Sequence, residues 1–153
     1  MMLELAELLS LLLTALLTGM YLAPWVALSR SMHTFTPEVF LAIVGRLNRN
    51  MAPFMTVLLP LTLLSLLSVT LLAFGHAPLL AWTGLAALLL SALTLAVTVR
   101  TEVPIVQQIV TWTASSLPEN WRQLRDRWGH FHLYRIVPAV LGLVLLTAGV
   151  VFS

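Results

Sequence analysis

Apolar residues fill four blocks of the chain, Leu8 to Leu28, Met51 to Phe74, Leu79 to Val99 and Ile136 to Phe152, and none of the four contains a charged residue. About 20 residues rising roughly 1.5 Å each cross a hydrocarbon core of roughly 30 Å, so each block predicts a membrane-spanning helix. The last block is the shortest; Leu133 and Tyr134 lengthen it if Arg135 snorkels at the boundary. Glu4 and Glu7 stand where a secretory signal would carry positive charge, and the first apolar run is too long for one, so it is read as a retained span.

The polar stretches between the blocks are unequal. Gly75 to Pro78 makes a tight turn between the second and third spans, whereas 29–50 and 100–135 are long and patterned as helices. Thr36, Pro37 and Glu38 supply a capping hydroxyl, a first-turn proline and an early carboxylate. A helix is therefore predicted to start there and enter the second span, with kinks at Pro53 and Pro60. The run Ser115 to Glu119 ends one helix and starts another, which continues through the fourth span. The expected architecture is all-α, a single domain over residues 1–153, and an integral membrane four-helix bundle with helices extended on the cytoplasmic side.

The cytoplasmic assignment comes from charge. All eight basic residues are arginines, at 30, 46, 49, 100, 122, 125, 127 and 135, and all lie in the two long connections. The positive-inside rule places those connections in the cytoplasm and both termini outside. With 59% hydrophobic and 9% charged residues, the chain is no soluble globular domain, where about a quarter of residues carry charge. The arginines are too few for a nucleic-acid partner. Absence of cysteine excludes a disulfide framework, a thiolate nucleophile and a thiol relay.

Candidate chemistry gathers near one membrane boundary. Trp121, Arg125, Trp128, His132 and Arg135 recur at steps of four, three, four and three, which puts all five on one helical stripe. The tryptophans fit an interfacial belt as readily as a binding surface. His132 and Arg135 lie deeper, where an ionisable residue should face protein, water or ligand. Glu102 follows the third span and reaches the same boundary, as a base desolvated among guanidinium groups or as a plain surface ion-pair partner. Arg46, Asn48, Arg49 and Asn50 at the start of the second span, with Gln107, complete an expected polar cap over an apolar core. Its amides and guanidiniums suit a phenol, quinone or carbonyl oxygen, though any hydrated collar carries such groups. His130 and His132 point about 200° apart on a helix, and adding His33, His76 and Glu102 yields no ligand spacing, so no metal site is expected.

The run Gly19 to Arg30, the run Phe40 to Pro53, and then Glu102, Pro104, Trp112, Pro118, Trp121, Arg125, Trp128, His132 and Arg135 together resemble a family of small four-helix membrane proteins, anthrone oxygenase-like. An asparagine often follows the family's proline-isoleucine step; here Val106 and then Gln107 stand there. The resemblance implies a bacterial inner-membrane protein that oxidises a hydrophobic aromatic or quinone-type substrate with dioxygen and without a cofactor. It further implies Glu102, His132 and Arg135 as catalytic residues, the base being His132 or Glu102. Arg46, Asn48, Arg49, Asn50, Gln107, Trp112, Trp121, Arg125 and Trp128 would line the substrate, with Arg49 and Asn50 or Gln107 joining Arg135 around the developing oxyanion. Expected partners are the lipid bilayer and a hydrophobic small molecule, with a homo-oligomer or larger membrane complex open. The rival readings are a non-enzymatic accessory subunit and a small-molecule binding or transport bundle.

Overall fold

Thr36 opens the longest helix of the molecule. Its Oγ1 accepts a hydrogen bond from the Val39 N–H at 3.5 Å, Pro37 takes the first helical position and Glu38 sits in the first turn. In this computed structural model, which describes residues 1–153, the helix so started, α2 (Pro37–Ala73), runs for 37 residues. At roughly 1.5 Å per residue it is about 55 Å long, well beyond a hydrocarbon core of about 30 Å. It is unbroken at Pro53 and Pro60, both on its exposed side.

The other helices are α1 (Met2–Pro24), α3 (Pro78–Val97), the short α4 (Val103–Ile109) and α5 (Trp121–Phe152). A π-helical turn, Trp25–Ser29, prolongs α1, a second, Thr98–Glu102, joins α3 to α4, and a 3-10 turn, Met32–Thr34, leads towards α2. Four continuous rods result, Met2–Ser29, Pro37–Ala73, Pro78–Ile109 and Trp121–Phe152, each long and apolar enough to cross a membrane. The chain contains no strand. α5 starts at Trp121, a little after the expected Glu119, because the Trp121 N–H first closes a turn onto the Pro118 carbonyl at 3.0 Å.

Lipid offers leucine the same apolar contact as another helix does, so association in a bilayer depends on close packing rather than on escape from water. Small residues supply it here. α3 packs most extensively on α5, and a Cβ at Gly149 would stand 3.2 Å from the Leu80 Cα. A Cβ at Gly84 would stand 2.8 Å from the Thr70 Oγ1 of α2. Gly142 lies against Ala87, but Gly19 has open space around it, since α1 turns Ala6, Ser10, Thr14, Leu17 and Tyr21 inward instead.

The interior divides along the bundle. Leu66, Val69, Ala73, Leu80, Ala81, Ala87 and Leu146 fill the end beside the Gly75 turn, where Gly75 takes a φ of 84°. Leu17, Tyr21, Leu58, Leu59, Ile136 and Ala139 fill the middle. At the arginine-bearing end the core becomes aromatic and β-branched: Met32, Phe40, Val44, Ile105, Ile109 and Trp128. Leucines and valines on the outer faces, among them Leu64, Leu71, Leu89 and Val144, stay exposed, as a lipid-facing surface requires.

Candidate functional site

The π-turn after α3 decides where Glu102 points. Eight residues of ideal α-helix turn through about 80° beyond whole turns, which would set Glu102 aside from the buried Thr94. The wider winding rotates less per residue and brings Glu102 back to the inner face, with the Val103 N–H reaching the Thr98 carbonyl. Pro104 follows at once; it has no N–H to offer the Arg100 carbonyl, so the regular ladder is interrupted at this point in any case. The other π-turn follows Pro24 at the same end of the bundle.

Glu102 meets Arg135 of α5 in an ion pair, and the two residues are only 9% and 7% exposed. Arg135 also places its guanidinium carbon 4.8 Å from the ring centre of Tyr21, a buried residue of α1. One and two turns back along α5, His132 and Trp128 are 3% and 4% exposed, their rings edge to face at 4.7 Å. Phe40 of α2 packs against Trp128 at 6.2 Å. Side chains from α1, from the π-turn after α3 and from α5 thus converge, closed on one side by α2.

The cluster is rich in buried polar atoms without well-formed hydrogen bonds. Arg135 Nε has no partner, Glu102 Oε2 is held by the Arg135 charge, the Trp128 Nε1 stands near the Glu102 carboxylate, and the Tyr21 hydroxyl stands near Thr98. Three of these are donors, and buried donors ordinarily find an acceptor. His132 differs: its Nδ1 lies 3.0 Å from the Trp128 carbonyl, which can only accept, so the proton sits on Nδ1. Nε2 of the neutral ring then carries a lone pair. The arrangement offers one proton acceptor, a buried cation and several N–H or O–H donors in one buried cluster. Such a set can take a proton from a carbon or phenol acid and hold the oxyanion that forms.

The expected polar cap is only partly assembled. Arg46, Asn48, Arg49 and Asn50 are exposed, because α2 turns Phe40 and Val44 inward and these four to the outside. Gln107 is exposed for the same reason: α4 buries Ile105 and Ile109. These five exposed residues are not among the buried side chains around Glu102, where Trp128 and Tyr21 stand instead. Trp112 is half-buried beside the aromatic core. Trp121 is half-buried 6.1 Å from Phe40, and Arg125 stacks on it at 5.3 Å and bonds Asp126, away from the ion pair. His130 is exposed while His132 is buried, which follows their angular separation. Tyr21 was not singled out from the sequence. The steps from Ser10 to Thr14, Thr18 and Tyr21 are four, four and three, a polar inner stripe that could have revealed it.

A family model described as anthrone oxygenase matches residues 49–145, a stretch that contains Glu102, Trp128, His132 and Arg135 and leaves Tyr21 outside. No curated protein and no solved structure matches the chain.

Proposed function

The chain belongs to the anthrone oxygenase family, and on that premise we propose that it oxidises an activated methylene of a hydrophobic, anthrone-like aromatic with dioxygen as the sole co-reactant. The observation that carries this reading is the buried convergence of His132, Glu102, Arg135, Trp128 and Tyr21 at one end of an otherwise apolar bundle.

His132 is the better base. Its Nε2 is free to accept, whereas the Glu102 carboxylate is engaged by Arg135. Removing a proton from the methylene opposite a ring ketone gives a delocalised enolate. Its oxygen is held by the Arg135 guanidinium with the Trp128 N–H and the Tyr21 O–H, and stabilising that charge is the larger part of the catalysis. The electron-rich carbon gives its electrons to dioxygen, a C–O bond forms, and the imidazolium returns the proton to the peroxide oxygen. Loss of the second methylene proton with cleavage of the O–O bond leaves a new carbonyl and one water. The CH2 group plus O2 thus become C=O plus H2O, with oxygen reduced and carbon oxidised. Glu102 acts as a positioning residue that fixes the guanidinium. On this reading a flat aromatic body inserts among the apolar helices beside the cluster, where bulk water is excluded. By the positive-inside rule, the arginine-bearing end faces the cytoplasm.

The test is turnover of an anthrone by purified protein. His132→Gln keeps a hydrogen-bonding side chain of similar size, and its rate should fall by about 10²- to 10⁴-fold with unfolding temperature unchanged. A rate equal to that of the unsubstituted protein would remove His132 as the base.

A further inference from the structure

Arg125 is a second buried cation, and its surroundings differ from those of Arg135. It is 7% exposed; its Nε and Nη2 both meet Asp126 Oδ1 at 2.8 Å, which leaves Nη1 outside that pair. Its guanidinium and that of Arg122 both lie over the Trp121 ring, at 5.3 and 5.7 Å from the ring centre. Two like charges are therefore held on one indole, and the almost fully desolvated one, Arg125, is met by a single exposed carboxylate, Asp126. Such crowding is costly unless a further anion joins it.

Arg125 lies between two clefts. One of about 350 Å³ is lined by His33, Phe35, Pro37, Trp121, Arg122 and Arg125. The other, of about 210 Å³, is lined by Arg30, His33, Arg125, Asp126 and His130 together with the apolar Trp25, Met32 and Leu133. Neither is lined by Glu102, His132 or Arg135. Together they set three guanidiniums and two imidazoles against one carboxylate. The apolar margin continues towards the membrane: Leu133, Val137, Val140 and Val144, at steps of four, three and four, form one exposed face of α5.

We propose that these clefts bind the phosphate headgroup of an anionic membrane lipid, with its acyl chain along the exposed Leu133–Val144 face. A free phosphate matches the guanidiniums equally well but makes no use of Trp25, Met32, Leu133 or the apolar face beyond them. A lipid satisfies both. Arg125, oriented by Asp126 and stacked on Trp121, provides the fixed contact, and the exposed Arg30 and Arg122 close on the headgroup from either side.

The experiment uses the full chain in a neutral detergent, titrated with short-chain phosphatidylglycerol, with the matching phosphatidylcholine or with inorganic phosphate, and reads binding through the unfolding temperature. Phosphatidylglycerol should raise that temperature saturably. Phosphatidylcholine and inorganic phosphate at the same concentration should not. In the Arg30→Gln, Arg122→Gln protein, whose substituted side chains are both exposed, affinity for phosphatidylglycerol should drop about tenfold or more, at about fivefold per surface arginine. The proposal is overturned if inorganic phosphate stabilises as well as the lipid does, if phosphatidylcholine matches phosphatidylglycerol, or if the doubly substituted protein binds phosphatidylglycerol unchanged. Because the readout is binding rather than turnover, it stands or falls independently of the oxygenase reading.

Discussion

The two ends of the bundle are built from the same helices by opposite rules. Beside the Gly75 turn, Leu66, Leu80, Ala87 and Leu146 are fully buried, and glycines bring backbones together. Hydroxyls there find carbonyl acceptors: Thr70 donates to Leu66 of its own helix at 2.7 Å, and Ser10 of α1 to Ser65 of α2 at 2.9 Å. At the arginine-bearing end both π-turns interrupt regular winding, an ion pair is buried, and donors on Tyr21, Trp128 and Arg135 lack well-formed hydrogen bonds. Each of those features costs stability, and their concentration at one end fits the oxygenase site proposed there. On the same proposal the turn end is scaffold.

Breaking the ion pair should have the largest effect on stability. Glu102→Leu leaves the Arg135 charge buried without a partner and should destabilise the protein by about 3–5 kcal/mol. Adding Arg135→Leu removes the stranded charge and should restore most of that loss, since buried pairs are replaced by apolar side chains at little net cost. The doubly substituted protein should nonetheless lack turnover. Unfolding in detergent and anthrone oxidation, measured on the same samples, check both halves. Stability that does not recover in the double variant would make the pair structural rather than functional.

At the scaffold end, Gly149→Leu forces a side chain against the Leu80 backbone. It should destabilise by about 1–3 kcal/mol, the usual cost of overpacking. The molecules that remain folded should turn over at the normal rate per molecule, which is checked by titrating folded protein before the assay. A rate lost in proportion to a geometric change at His132 would show that the two ends are not separable.

The smallest effect is expected on the outer face of α2. Asn50→Ala should change stability by about 0.5 kcal/mol at most, and turnover by less than about twofold, because Asn50 is exposed and faces away from the buried cluster. A clear loss of rate would return the amides of α2 to the site.

Much of this contrast is legible in the sequence. Charge-free blocks define the spans, Thr36 to Glu38 define the start of α2, and the stripe Trp121, Arg125, Trp128, His132 and Arg135 places ionisable groups at one boundary. Convergence of Glu102 on Arg135 is less so, since the phase of α3 at residue 102 depends on a π-turn that apolar periodicity does not encode. Arg46, Asn48, Arg49 and Asn50 stand on an outward face, since polarity near a membrane boundary marks such a face as readily as a site. Tyr21 was hidden by its surroundings: a hydroxyl in a long apolar run carries no charge to draw attention to it.

Oxygen-isotope labelling of the product addresses the central claim most directly. Purified protein is given an anthrone under ¹⁸O2 in ordinary water, and the quinone is analysed by mass spectrometry. The account predicts one ¹⁸O atom in the new carbonyl and its loss, together with the rate, in His132→Gln. A product carrying oxygen from water alone, or equal labelling with and without His132, would contradict it.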